Sequence, residues 1–439
     1  MRPVRIVHLG LGGFFRAHQA WYTGAAPDAE RWGIAAFTGR SATLADQLNH
    51  QDGRYTLVVR GPERDVMSVQ HVIAAAHPGT DLVSWCDYLA RPQVAVVTLT
   101  VTEAAYRRDR DGGLDLSDED VRADLAALRH GGTTGTVPGR LVAGLAARRA
   151  AGAGSLAVVS CDNVPANGTA AERVVTELAE AVEPELAGWI REHVAFVTTM
   201  VDRITPRTTT GDIRAVSGQT GWADAVPVVT EPFTEWVLGG AFPNGRPAWE
   251  AAGARFVDDV HPYETRKLLL LNGGHSLLAY AAGARGHATI AQAVADPDCR
   301  GWLDQWWDEA VRHVPLPATD LTAYRVALLD RFANPRIRHT LAQIAADGSQ
   351  KLPIRVLPVL RAERNTGRLP SGAVRILAAW IDHLRGIGAP VNDAGAGPFR
   401  DRAGSVRDVI ALLAPDLAGD QALIDAVGAE MRPGVADQR

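Results

Sequence analysis

Three side chains able to hold or move a proton stand close together in one apolar stretch. They are Lys267, Asn272 and His275, set in the run Tyr263-Glu264-Thr265-Arg266-Lys267-Leu268-Leu269-Leu270-Leu271-Asn272-Gly273-Gly274-His275. Pro262 opens a helical pattern that extends from Tyr263 to Ala284. At about 100° per residue the three fall within a sector of roughly 140°, so one helical face presents an amine, an amide and an imidazole. Burial among leucines disfavours the charged form of Lys267 and moves its pKa towards the range of a working general base. Taken singly, each residue has a plain structural reading: the amide and imidazole satisfy buried backbone, and the lysine reaches for solvent. Three on one face, in a chain with a second feature of a cofactor site, favour chemistry.

That second feature is the glycine turn Gly10-Leu11-Gly12-Gly13-Phe14-Phe15-Arg16, placed after the apolar strand pattern Val4 to Leu9 and before a helical pattern through Trp21. A dinucleotide pyrophosphate needs closely approachable backbone and a helix N-terminus aimed at it, and strand, glycine turn and helix supply both. The match to G-x-G-x-x-G is incomplete, because Phe15 holds the third position. The acidic residue that would hold the ribose hydroxyls after a second strand is absent. Thr38-Gly39-Arg40-Ser41 stands there, with Arg40 placed for an adenine face or a 2′-phosphate. NAD is the expected cofactor and NADP the alternative, with contacts from Gly10, Gly12, Gly13, Phe14, Arg40 and Thr100.

Around these residues the sequence predicts an α/β protein: a Rossmann-like N-terminal domain over 1–252 and a mainly α-helical substrate domain over 253–439. Strands are expected over Val4 to Leu9, Trp32 to Thr38, Tyr55 to Arg60, Val66 to Ala75, Val94 to Val101, Leu156 to Cys161 and Val194 to Met200. A helix opens at Pro138 and closes near Ala151 before two glycines. Beyond residue 250 helical patterns follow over Tyr263 to Ala284, Gly301 to His313 and Asn334 to Ala346. Trp302, Leu303 and Trp306 recur at helical spacing and read as core packing. Residues 107–120 and the tail after Val427 read as solvated segments.

The 439 residues are 46% hydrophobic and 22% charged, an ordinary globular composition, and 45 basic against 50 acidic side chains give a net charge of −5. No global basic field invites nucleic acid. Three scattered cysteines and 13 histidines show no C-x-x-C pair, H-E-x-x-H or Cys/His cluster, so no metal site is expected. The apolar run near Leu268 to Ala284 is interrupted by Asn272, His275 and Ser276 and reads as a buried helix rather than a membrane span. The N-terminus reads as a strand rather than a leader, which places the protein in the cytoplasm.

The blocks I-V-H-L-G-L-G-G-F-F-R-A-H-Q (Ile6 to Gln19), T-V-T-E (Thr100 to Glu103), S-C-D-N-x-x-x-N-G (Ser160 to Gly168), M-V-D-R-I-T-P (Met200 to Pro206), E-P-F-x-x-W (Glu231 to Trp236), K-x-x-x-x-N-x-x-H (Lys267 to His275) and D-G-S-x-K-x-P (Asp347 to Pro353) occur in one order. Together they resemble the polyol-specific long-chain dehydrogenases, the mannitol 2-dehydrogenase and fructuronate reductase family. The resemblance implies a zinc-independent, NAD(P)-dependent interconversion of a secondary alcohol and a ketone on an open-chain sugar derivative. It assigns the general base to Lys267, oxyanion-type donors to Asn163 and Asn272, a substrate hydroxyl partner to His275, an outward proton relay to Glu264, and substrate contacts to Asp202 and Lys351. Gln343 departs from the pattern, standing where the family often has an arginine, and Gly274 replaces a residue that is often larger.

A sugar alcohol of mannitol or arabinitol type with its 2-ketose is the leading substrate pair, and fructuronate or tagaturonate with its hexonate is the alternative. Arg207, Arg336, Arg338, Arg355 and Arg361 are available for a carboxylate. A monomer or small homo-oligomer with a small-molecule partner is expected. A zinc alcohol dehydrogenase and a non-catalytic dinucleotide-binding protein are the competing classes. The first is opposed by the lack of ligand clusters, the second by the intact Lys267, Asn272 and His275.

Overall fold

β-Branched and small apolar residues build most of the strands of a computed structural model that describes residues 2–39 and 41–432. Arg40, expected at the cofactor, and residues 433–439 lie outside the described residues. Two units divide the chain at His261/Pro262.

The first unit contains β1 (Val4–Leu9), β2 (Gly33–Phe37), β3 (Tyr55–Arg60), β4 (Asp65–Gln70), β5 (Ile73–His77), β6 (Val96–Leu99), β7 (Leu156–Ser160), β8 (Val194–Asp202), β9 (Val228–Thr230), β10 (Glu235–Gly239) and β11 (Arg255–Phe256). An eight-stranded sheet runs β11-β10-β8-β7-β6-β1-β2-β5, and a small sheet runs β4-β3-β9. Every pair in the large sheet is parallel except β10 with β8, so β10 and β11 run opposite to the other six strands.

Successive strand residues point to opposite faces, and each face has its own core. Val7, Leu9, Val97, Leu99 and Val158 pack with Leu141, Val142 and Leu145 of the helix Val137–Ala150 and with Val174 and Leu178 of the helix Asn167–Val182. Ile6, Ala36, Val96, Ala157 and Val159 pack with Phe15, Tyr22, Trp236 and Trp249. The helix expected at Pro138 is present because Thr136 caps it: its hydroxyl accepts from the Gly139 amide, and Pro138 fills the first turn.

Several expected elements differ from the structure. The run Val66 to Ala75 is two strands in two sheets, because the chain turns at His71 and Val72 inside a continuous β-branched pattern. The first unit continues past residue 252 because β11 still pairs with β10.

The second unit is helical. Its helix Pro297–Ala310 buries Leu303, Trp306 and Trp307, whereas Trp302 is only half-buried, beneath the guanidinium groups of Arg285 and Arg375. No single helix covers Asn334 to Ala346. Pro335 disfavours helical geometry at Asn334, the Asn334 side chain accepts from the Arg336 amide, and only Leu341–Ala345 is α-helical. Val427 is buried in the helix Gln421–Glu430, and after it Gly428, Ala429 and Glu430 are exposed while still helical. Among the described residues no helix is long and apolar enough to cross a membrane.

Candidate functional site

In the first unit the glycine turn is pinned at both sides. The amides of Gly10 and Leu11 both donate to the carbonyl of Phe37 at the end of β2, at 2.9 and 2.8 Å. The Thr100 hydroxyl, just beyond β6, donates to the Gly10 carbonyl at 2.8 Å. Gly10 has φ +111°, and a Cβ there would lie 2.1 Å from the Thr100 carbonyl oxygen, so the protein's own packing demands glycine.

Gly12 and Gly13 are different. A Cβ on Gly12 would meet only the Gly10 oxygen at 3.5 Å, and one on Gly13 only Thr205 Cγ2 at 3.6 Å. Protein packing does not require these two glycines, and bare backbone at the start of the helix Gly13–Ala17 fits a ligand that must approach closely. Phe15 explains the incomplete motif. It is fully buried and stacks on His8 with ring centroids 3.5 Å apart, filling the place where a third glycine would allow close packing. His8 is hydrogen-bonded to Thr98 at 2.8 Å and to Thr100 at 3.2 Å, and burial pulls its pKa down to about 3.

Asn163 and Asn167 share one motif and have opposite settings. Asn163 is exposed in the turn following β7. Asn167 is fully buried; its Nδ2 donates to the carbonyls of Asp162 and Thr199 at 3.2 and 3.0 Å, and its Oδ1 accepts from the Thr199 amide at 2.9 Å. Asn167 therefore ties the turn to β8 while Asn163 is presented above it. The Tyr106 hydroxyl donates a short hydrogen bond to Asp162, whose carboxyl is raised above its usual range by burial.

Asp202 is buried at the end of β8, in a strand rather than at a helix cap. Arg203 is not its partner: that guanidinium donates to the carbonyls of Glu231 and Ala17 and lies over the Trp21 ring. Glu231 in turn accepts from the Ile204 amide at 2.6 Å, and Trp236 packs 4.6 Å from Trp249. The E-P-F-x-x-W block is thus scaffold for the segment carrying Asp202.

In the second unit the stretch expected to be one α-helix is helical but not uniform. The α-helix His261–Arg266 carries Glu264. It gives way to a π-helix over Lys267–Asn272, an α-helical turn over Gly273–Leu277 and a second π-helix over Leu278–Ala282. The Gly273 amide donates to the carbonyl of Leu268, five residues back. This wider repeat stacks positions five apart, which brings Asn272 towards the face of Lys267 more closely than an α-helix does.

Two tryptophans hold the widened turn. Trp306 Nε1 donates to the Leu269 carbonyl at 3.0 Å and Trp307 Nε1 to the Leu270 carbonyl at 2.9 Å. A Cβ on Gly273 would come within 2.6 Å of the Trp306 ring, and one on Gly274 within 2.9 Å of Leu303. The small residue at 274 therefore has a packing cause.

Lys267 and Asn272 are half-buried, and His275 is buried. The His275 ring stacks on Phe332 at 4.8 Å and meets His339 edge-on at 4.9 Å. Its Nε2 has no hydrogen-bond partner. Burial first, then the charges of His339, Arg331 and Arg355, hold its pKa well below the usual histidine range, so the ring is neutral.

Lys351 belongs to the helix Gly348–Arg355, and its Nζ donates to the carbonyls of Ile344 and Ala346 at 3.3 and 2.5 Å. Burial lowers its pKa. Gln343 is exposed. Phe332, His339 and Arg355 were not assigned to this neighbourhood by sequence spacing, because they lie 57 to 80 residues beyond His275 in the chain.

One His/Asp/Cys group, His287, Asp296 and Cys299, has its ligand atoms within 4.8 Å of one another. Asp296 Oδ2 already takes His287 Nε2 at 2.9 Å and Arg285 Nε at 3.0 Å, and Oδ1 caps a helix. The arginine opposes a cation at that oxygen.

Comparison with known proteins matches residues 4–251 to the mannitol dehydrogenase Rossmann domain and residues 259–413 to the mannitol dehydrogenase C-terminal domain. The D-mannonate oxidoreductase of Escherichia coli (strain K12) is 39% identical over 398 residues, 87% of this chain and 80% of that protein. A mannitol 2-dehydrogenase of Cereibacter sphaeroides is 35% identical over 440 residues, 97% of this chain and 91% of its own. Among solved structures, the ternary complex of Pseudomonas fluorescens mannitol 2-dehydrogenase with NAD and D-mannitol superposes with a TM-score of 0.81 at 34% identity, covering 98% of this chain and 90% of that one.

Proposed function

The chain belongs to the mannitol dehydrogenase family, and on that premise we propose that it is an NAD-linked oxidoreductase interconverting a secondary alcohol and a ketone on an open-chain sugar derivative, a sugar alcohol or the corresponding sugar acid. The observation that carries the reading is the π turn that sets Lys267 and Asn272 towards one face, followed by the neutral His275. NAD, when bound at the glycine turn, takes up or returns the hydride.

The chain's own residues do the rest. Gly12 and Gly13 offer bare backbone to the pyrophosphate. Lys267 accepts the hydroxyl proton during oxidation and returns it during reduction, and Glu264, earlier on the same helical stretch, passes it outward. Asn163 and Asn272 donate amide N–H bonds to the substrate oxygen as negative charge grows on it, stabilising the transition state more than the ground state. His275, neutral and with Nε2 unpartnered, holds a neighbouring hydroxyl. Asp202 and Lys351 bind and orient the substrate.

A spectrophotometric screen of NADH and NADPH oxidation against fructose, fructuronate, tagaturonate and xylulose tests this reading. Ketone-dependent oxidation that disappears in Lys267→Ala supports it. Full activity in that variant, abolished instead by a chelator, points to a metal mechanism and overturns it. Nucleotide binding without turnover of any ketone also overturns it.

A further inference from the structure

Arg355 closes the helix Gly348–Arg355 and is half-buried, with its Nε enclosed. Its Nη1 donates to Ser276 Oγ at 3.4 Å, and its Nε has no hydrogen-bond partner. No carboxylate among the described residues forms an ion pair with it, whereas the fully buried Arg148 hands its donors to the carbonyls of Leu89, Ala153, Gly154 and Ser155. Burial lowers the pKa of Arg355, and an uncompensated buried cation is held at a cost.

The neighbours sharpen the point. Ser276 follows His275, the residue read as a substrate partner, and the charges acting on His275 come from Arg331, His339 and Arg355. Lys351 stands one turn before Arg355 on its helix. The acids acting on Lys351 are Asp347 and Asp393, and Asp393 is engaged by the Ser349 amide, the Ser349 hydroxyl and the Gly395 amide. Tyr280 also faces Arg355, with its hydroxyl donated to the Ala345 carbonyl. A guanidinium with unused donors, next to the residues read as holding the substrate, fits an anion with two coplanar oxygens.

We propose that Arg355 is a specificity-determining residue that receives the carboxylate of the substrate, so that the preferred substrate is a sugar acid carrying a terminal carboxylate rather than a neutral sugar alcohol. This rests on the reading of His275 and Lys267 given above. The carboxylate is a spectator: one carbinol carbon gives a hydride to NAD and its hydroxyl proton to Lys267, the alcohol is oxidised by two electrons to a ketone, and NAD is reduced to NADH.

The test uses the full-length enzyme with NAD and the matched pair D-mannonate and D-mannitol, which differ at one terminal carbon. The wild type is expected to show the higher kcat/KM on mannonate. Arg355→Gln is expected to lower the mannonate-to-mannitol ratio of kcat/KM by about 30-fold or more, mainly through KM, and Arg355→Lys to recover part of it. If Arg355→Gln fails to fold, wild-type preference alone decides. Preference for mannitol in the wild type, or an equal loss on both substrates in the variant, overturns the proposal and leaves the dehydrogenase reading standing. Absence of turnover on either compound, with either coenzyme and in either direction, overturns both.

Discussion

Trp306 lies against Gly273: its indole nitrogen reaches the Leu269 carbonyl at 3.0 Å, and a single methyl on Gly273 would come within 2.6 Å of the ring. The same ring thus supplies a donor to the widened turn and leaves no room for a larger residue. Gly273→Ala is expected to lower stability by about 1–3 kcal/mol through overpacking and to reduce kcat by displacing Asn272. Trp306→Phe keeps an aromatic ring but removes the donor and leaves a small void, so it should destabilise by about 1–3 kcal/mol. Thermal denaturation with parallel kinetics checks both, and unchanged melting in Gly273→Ala would contradict the packing.

Lys267→Ala is expected to lower kcat by roughly 10²–10⁴-fold, the range of a general base, while NADH binds as in the wild type. Single-turnover hydride transfer followed at 340 nm, alongside a fluorescence titration of NADH, separates the two effects. Normal hydride transfer would remove the lysine from the mechanism.

The two asparagines of one block should part company. Asn163→Ala is expected to reduce kcat with no change in melting temperature, since its side chain is exposed. Asn167→Ala strips partners from the Asp162 and Thr199 carbonyls and the Thr199 amide, and is expected to cost about 1–3 kcal/mol per buried group left unpaired. Urea titration of both variants is the check.

The glycines of the turn should separate likewise. Gly10→Ala must place a Cβ against Thr100 at positive φ and is expected to lose about 2 kcal/mol or more of stability. Gly12→Ala and Gly13→Ala should melt like the wild type yet bind NADH roughly tenfold more weakly. Weak binding in all three with equal loss of stability would mean that the turn is only structural.

Acid should loosen the first unit through His8. Its folded pKa of about 3 lies below the unfolded value of 6.5, so the unfolded chain binds a proton that the native chain refuses. Stability is complete above pH 6.5 and falls as pH drops from 6.5 towards 3, by about 2 kcal/mol at pH 5 from this group alone. In His8→Gln the slope of stability against pH should flatten by close to one proton near pH 5, as measured by denaturant titration at several pH values. An unchanged slope would show that the imidazole is protonated in the native state.

Much of this was legible in the sequence where pattern and local chemistry agree. β1 and β3 have the bounds their apolar alternation suggests, and Thr136 with Pro138 marks a helix start. Lys267, Asn272 and His275 could be placed on one helical stretch from spacing. Other features depend on residues remote in sequence. The widened turn is held by Trp306 and Trp307, whose indole donors no local pattern couples to Leu269 and Leu270. His71 and Val72 break a β-branched run without a glycine or proline to signal it, and β9 has three residues, too few for periodicity. Pro335 was a visible obstacle to a helix from Asn334, and helical spacing on either side of it outweighed it.

The π turn also has a bearing on which changes this stretch can absorb. It accommodates one residue more per turn than an α-helix, so Leu268 to Leu271 behave as a run with a fixed count. Exchange of one leucine for another apolar residue alters packing. An insertion would have no wider turn left to absorb it and would rotate everything downstream, His275 included, by about 100° relative to Lys267, whereas a deletion would let the turn relax into a regular helix and draw the Leu269 and Leu270 carbonyls away from the Trp306 and Trp307 donors. Length is what this segment has to conserve, and single-residue insertions or deletions here are predicted to be worse tolerated than any conservative apolar replacement.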